Sequence, residues 1–201
     1  MFGNAHGRFN LLSFLPLQIR EISLQFMPVQ GGGMEIKMAE NKKVKVEMEN
    51  GGEFIIELMP EYAPETAANF EALAADGFYD GVIFHRVIDD FMAQGGDPTG
   101  TGMGGSGKNI KGEFAQNGFP QNTLSHTRGV VSMARSMDPN SASSQFFICY
   151  GDCTFLDGQY AAFGKVTDGM ETVDDFLKIE RRGLEGGTPV EEIKIKKMTV
   201  L

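Results

Sequence analysis

The stretch FHRVIDDFMAQGG, residues 84–96, reads in its first half as a β-strand, because Phe84, Val87 and Ile88 are β-formers uninterrupted by glycine or proline. Side chains alternate along a strand, so Arg86 is expected on one face with Phe84 and Ile88, and Gln94 with Met92. A guanidinium and a carboxamide among large apolar side chains need a reason. A snorkelling arginine and a satisfied edge glutamine would be the ordinary one. A polar pair set into an apolar groove is the other, and the rest of the chain has to decide.

SASSQFFICY, residues 141–150, carries the same theme. Gln145, Phe147 and Cys149 share one face of a strand, and Phe146, Ile148 and Tyr150 share the other. Adjacent phenylalanines on opposite faces mean that both faces are covered, one by a core and one by something else. A phenylalanine-lined groove edged with glutamines suits an apolar ring flanked by peptide amides, a ligand that calls for no nucleophile, metal or cofactor.

Further strands are expected at KVKVEME and EFIIELM, joined by the hairpin turn Asn50–Gly52, and at GVVSMA, AAFGKV and EEIKIKKMTVL. APETAANFEALAADG predicts a helix that begins at Pro64, buries Ala67, Phe70, Leu73 and Ala74, and stops at Gly77. GMETVDDFLKI predicts a second, with Met170, Val173, Phe176 and Leu177 inward and an end near Gly183. Twenty-six glycines in 201 residues agree with a turn-rich β protein. The expected architecture is all-β with helices: a closed eight-stranded antiparallel β-barrel capped by two α-helices.

Several functions are excluded. A net charge of −9 with interspersed signs argues against a nucleic-acid surface. No apolar run has the roughly 18 residues of a membrane helix, and Cys149 and Cys153 lack zinc or redox spacing, which points to structural thiols in a reducing, cytoplasmic compartment. Gly102, Gly107 and Lys108 match the start of a phosphate-binding loop, but Asn109 replaces the metal-binding hydroxyl and Gly112, Gly118 and Pro120 forbid the helix that must follow. The segment is expected to be a mobile surface loop. Ser106 in GGSGK lacks the second glycine of a nucleophile elbow, and His85 and His126 are expected to be packed, hydrogen-bonded structural residues.

Residues 1–42 are expected to lie outside the fold, as a disordered extension or a mis-assigned start. Gly31–Gly33 before Met34 is what a purine-rich ribosome-binding site gives when translated in frame, and glycine runs also favour flexible linkers. The folded domain is expected at 43–201.

FHRVIDDFMAQGGDPTGTGMGG, GVVSMARSMDPNSASSQFFI and FLDGQYAAFGKVTDGM, spread over this domain, resemble the cyclophilins, peptidyl-prolyl cis–trans isomerases. The resemblance implies a substrate groove on the outer wall of the barrel and no cofactor or metal. Position by position, it makes Arg86 the catalytic arginine with His85 beside it, and Gln94 and Gln145 amide-binding glutamines. It makes Phe91, Met92, Phe147 and Leu156 the proline pocket, and 133–135 the edge that pairs with substrate backbone through Ala134 and Arg135. Arg135 replaces a common asparagine; Phe155 stands for a common tryptophan and Tyr160 for a common histidine, and these last two changes resemble bacterial and archaeal members. These changes imply weak cyclosporin binding. The implied partners are proline-containing peptides and partly folded proteins, met by a monomer without nucleic acid or membrane. A second reading, a proline-peptide binding module or chaperone with incidental catalysis, differs at Arg86, which a pure binder does not need.

Overall fold

The computed structural model describes residues 25–28, 34–37, 41–183 and 187–201. Two units are distinguished, Met1–Glu40 and Asn41–Leu201. In the first, β1 (Gln25–Pro28) and β2 (Met34–Lys37) pair antiparallel.

The second unit begins with β3 (Lys43–Met48) and β4 (Glu53–Leu58). Their strict alternation puts Val44, Val46, Met48, Phe54, Ile56 and Leu58 inside and charged residues outside. Gly51 takes φ +88° in the turn, which a side chain would resist. Then come α1 (Pro64–Ala75), β5 (Ile83–Ile88), β6 (Met92–Asp97), β7 (Val130–Met133), β8 (Phe146–Cys149) and β9 (Ala162–Asp168). They are followed by α2 (Met170–Asp174), the short β10 (Arg181–Arg182) and β11 (Thr188–Pro189), and β12 (Ile193–Val200). Eight strands close a barrel in the order β12-β3-β4-β9-β7-β8-β6-β5, with β5 returning to β12 and every pairing antiparallel. Closure removes the sheet edges on which another chain could polymerise. Among the described residues no helix is long and apolar enough to cross a membrane.

Helix α1 contributes Ala67, Phe70 and Ala74 to the core, and Phe70 lies 5.0–5.2 Å from the rings of Tyr79, Phe146 and Phe163. Its N-terminus has no side-chain cap of its own; instead the buried Glu113 carboxylate accepts the Glu65 and Thr66 N–H groups and the Thr66 hydroxyl. A carboxylate there satisfies orphan donors and faces the positive end of the helix dipole. The second helix is shorter than its sequence period suggested. Only Met170–Asp174 is α-helical, and Asp175–Lys178 tightens to a 3-10 turn that carries the buried Phe176 to 5.0 Å from Phe84.

Strand β5 departs from simple alternation. Phe84 pairs with Gly95 and Arg86 with Gln94, so one residue, His85, is extra on its side of the ladder. This bulge shifts the parity. Phe84 and Val87 are both buried in the core, so Arg86 does not share a face with Phe84 as strict alternation predicted; it joins Ile88 on the outside.

Candidate active site

A second apolar cluster lies on the outer wall, apart from the barrel core. Met92, Phe147, Cys149, Cys153 and Leu156 are buried in it, with Ile88, Phe91, Ala134 and Tyr160 packed against them. Phe146, Ile148 and Tyr150 belong to the inner core, so β8 is covered on both faces as its sequence required. The outer cluster is built by β6 and β8 together with the 3-10 turn Thr154–Leu156.

Register sets the polar groups beside this cluster. Arg86 on β5 is opposite Gln94 on β6, Gln94 is opposite Phe147 on β8, and Phe147 is opposite Ser132 on β7. One rung of the barrel thus carries a guanidinium, a carboxamide and a phenyl ring in lateral succession, at the roughly 4.8 Å spacing of neighbouring strands. Gln94 Nε2 donates to Gln145 Oε1 at 2.9 Å, and Gln145 Nε2 donates to the Gly102 and Gly104 carbonyls at 3.0 and 2.8 Å.

The remaining expected residues sort into two groups. Phe91, Met92, Phe147, Leu156, Ala134 and Tyr160 are brought together, and Phe155, though 63 % exposed, stands 5.6 Å from the Phe91 ring. Tyr160 meets Phe147 edge-on at 5.9 Å. Arg135 stacks on Tyr160 at 4.6 Å and on Phe114 at 5.1 Å, while Nε and one terminal nitrogen donate to the Gln159 carbonyl and the other to that of Ser136. Such cation–π contacts hold the guanidinium against the Tyr160 ring at the margin of the outer cluster. Ala134 donates its N–H to the Gln145 carbonyl and Met133 its own to Ala161, so these two N–H groups are already used within the barrel.

His85 is placed differently. The bulge turns it away from the outer cluster, toward Gly102 and a small pocket shared with Ile83, Gly100, Thr188, Pro189, Glu191 and Glu192. Its Nδ1 is buried without a hydrogen-bond partner among the described residues, unlike the bonded structural histidine expected from the sequence. Burial and the Arg86 charge lower its pKa against the pull of Asp97. His126 does fit that expectation: Nδ1 pairs with Asp157 at 2.8 Å and Nε2 with Ser132 Oγ at 2.9 Å.

Two contributors escaped the sequence. His126 stacks on Phe147, and Asp97 organises the glycine-rich segment, for which composition predicts a mobile surface loop. Buried Asp97 accepts hydrogen bonds from the N–H groups of Thr99, Gly102 and Gly104 and from the Thr99 hydroxyl. Burial alone would push this carboxyl up, but the donors outweigh it and hold its pKa at about 2. Beyond Lys108 the chain runs through an isolated bridge, Ile110 to Ala142, and its next helical segment is only the three-residue 3-10 turn Ala115–Asn117, so no α-helix follows directly to face a phosphate. Cys149 and Cys153 are both free and buried in the outer cluster, and burial raises the pKa of each thiol.

The fold is thus a closed eight-stranded antiparallel barrel that carries a second apolar cluster, flanked by a guanidinium and two carboxamides, on its outer wall. Residues 43–200 match the family described as cyclophilin type peptidyl-prolyl cis-trans isomerase/CLD. Peptidyl-prolyl cis-trans isomerase-like 3 of Rattus norvegicus is 44 % identical over 149 residues, 74 % of this chain and 90 % of that protein. Peptidyl-prolyl cis-trans isomerase ppi1 of Schizosaccharomyces pombe is 44 % identical over 155 residues, 75 % and 94 % of the two chains. A crystal structure of a Cryptosporidium parvum cyclophilin type peptidyl-prolyl cis-trans isomerase superposes with a TM-score of 0.71 at 36 % identity, covering 80 % of this chain and 98 % of that one. Another, determined in the presence of the dipeptide Ala-Pro, gives a TM-score of 0.70 at 36 % identity, covering 79 % and 98 %. The chain belongs to the cyclophilin-type peptidyl-prolyl cis–trans isomerase family, and it is an isomerase.

Proposed function

We propose that the outer rung Arg86–Gln94–Phe147 is where the chain accelerates rotation about Xaa–Pro bonds, with Arg86 donating to the prolyl nitrogen of the twisted amide. The observation that carries this is the register itself, which sets a guanidinium two strands from a buried phenyl ring. Amide resonance opposes rotation with a barrier of roughly 18–20 kcal/mol. As the bond twists, the nitrogen pyramidalises and regains a lone pair, so a donor placed there binds the transition state better than either planar isomer. The planar guanidinium fork of Arg86 offers several N–H donors to that lone pair. Phe91, Met92, Phe147 and Leu156 hold the proline ring and exclude water, while Gln94 and Gln145 orient the arginine and the peptide amides. Backbone pairing with the peptide falls to the Arg135 end of the 133–135 edge, since the Met133 and Ala134 N–H groups are taken.

No proton or electron moves in this reaction, and the rung contains neither paired carboxylates nor an activated nucleophile. The substrates are proline-containing peptides and partly folded proteins, handled by a monomer in a reducing, cytoplasmic setting that suits its two free thiols.

The test is Arg86→Ala. Losing one preorganised donor costs about 10²–10³ in rate, so kcat/KM should fall by that factor while peptide affinity and the denaturant midpoint move little. Arg86→Lys should rescue only in part, because an ammonium lacks the planar fork. Full activity in Arg86→Ala would leave a proline-peptide binding module instead.

A further inference from the structure

The orientation of the Gln94–Gln145 pair is not free. Gln145 Nε2 donates to two carbonyls, Gly102 O and Gly104 O, which occupies both hydrogens of its NH₂ group. Flipping the amide would set Oε1 against two carbonyl oxygens. Gln145 Oε1 is therefore turned to Gln94 and accepts its Nε2 hydrogen. The polarity of Gln94 follows: its NH₂ end is committed to Gln145, and its carbonyl oxygen is the other end of the chain, in the rung of Arg86.

What holds those two carbonyls in place is Asp97. The 102–104 segment gives its N–H groups to one side, at 2.7 and 3.1 Å from Asp97 Oδ2, and the Gly102 and Gly104 carbonyls to Gln145. Thr99 ties the same carboxylate through its N–H and hydroxyl, both at 2.8 Å from Oδ1. The glycines serve this cage. Gly102 has φ +82°, and a Cβ on Gly104 would overlap Asp97 Oδ1. A carboxylate supplies the acceptor lone pairs this cluster of donors demands and has no hydrogen to offer them.

We propose that Asp97 is a positioning residue for isomerisation: by caging the 99–104 loop it fixes the amide orientation of Gln145 and, through it, of Gln94 beside Arg86. This rests on the rung being the catalytic site, and it adds a residue that lies outside that rung.

Asp97→Asn keeps the shape but turns an NH₂ group against donor N–H groups. Small misplacements of catalytic groups cost up to about 10²-fold, so kcat should fall by about 10–10² with KM changed far less. In a Gln145→Ala background the same substitution should cost no further turnover, while still lowering the denaturant midpoint, since the loop cage is lost in either case. Thr99→Val, at an exposed position, repeats the test where Asp97→Asn fails to fold; it should lose activity only when Gln145 is present. In NMR, the Gln145 side-chain NH₂ protons should be protected from exchange in the parent and unprotected in Asp97→Asn. Equal fractional losses with and without Gln145 would show that Asp97 merely stabilises the fold and would overturn the relay alone. Unchanged turnover in Gln145→Ala itself would remove the site assignment on which the relay stands.

Discussion

The imidazole of His126 lies nearly parallel to the ring of Phe147, with centroids 6.1 Å apart and planes 15° apart. Asp157 and Ser132 hold it from its two nitrogens, and Ser132 stands opposite Phe147 in the β7–β8 ladder. The Phe147 ring is thus backed by an imidazole anchored at both of its nitrogens. Burial lowers the pKa of His126, more than Asp157 raises it.

A pH dependence follows from that lowered pKa. The folded state keeps His126 neutral, so its contribution is complete above the ordinary histidine value of about 6.5 and is lost as pH falls below it. Denaturant midpoints should decline between pH 7 and 5, and His126→Gln should flatten part of that decline, leaving the share that belongs to His85, whose pKa is also lowered. The variant should also lose roughly 1–3 kcal/mol at pH 7 from unpaired Ser132 and Asp157. An unchanged slope would show that His126 does not titrate with unfolding.

Acid should expose Asp97 in the same way. Its folded pKa of about 2 lies below the unfolded value of 3.8, so its stabilisation is full above pH 4 and disappears as pH falls toward 2. Midpoints measured across this window should fall less steeply for Asp97→Asn than for the parent. Parallel curves would mean the carboxylate is no better solvated in the folded state than in the unfolded one.

Phe155 offers a gain-of-binding test. It is exposed and packs only one face toward Phe91. Phe155→Trp adds an N–H donor and a larger apolar face. Cyclosporin inhibition should be weak in the parent and tighten by about 2–10-fold in the variant, the equivalent of one hydrogen bond of about 0.5–1.5 kcal/mol. Peptide turnover should change little. Tight inhibition of the parent would remove this position as the discriminator.

Gly169 sits at the start of α2 with φ +74°, where a Cβ would overlap the Glu53 carbonyl and come within 2.7 Å of Phe54 Cα. Gly118 has a similar φ, +80°, with open space around it. Gly169→Ala should destabilise by clearly more than Gly118→Ala, whose cost is backbone strain alone, about 1 kcal/mol. Equal urea midpoints for the two variants would contradict the close approach of α2 to β4.

Residues 1–40 should be dispensable. The barrel closes with strands drawn from 43–200, and its core residues span Val44 to Met198. A chain beginning at Asn41 should keep its melting temperature and kcat/KM. A loss above about 1 kcal/mol, large on the scale of point substitutions, would show that these residues support the domain.

Local chemistry made much of this protein legible from its sequence. Strand alternation in β3, β4 and β8, the Asn50–Gly52 turn and the Pro64 and Gly77 boundaries of α1 depend on neighbours within a few residues, and the structure keeps them. The two-sided covering of β8 was likewise present in the alternation of Phe146 and Phe147. Tertiary structure decided the rest. The bulge at His85 belongs to the register between β5 and β6, so the face taken by Arg86 could not follow from counting along one strand. Helix α2 ends short of its apolar period, and Phe176 meets Phe84 from the 3-10 turn that follows. The caps and clamps supplied by Glu113, Asp97 and His126 join segments whose partners are distant in sequence or hidden in glycine-rich loops. Propensity acts through adjacent residues, whereas register, bulges and buried hydrogen bonds are settled only when the barrel closes and each polar group must find a partner.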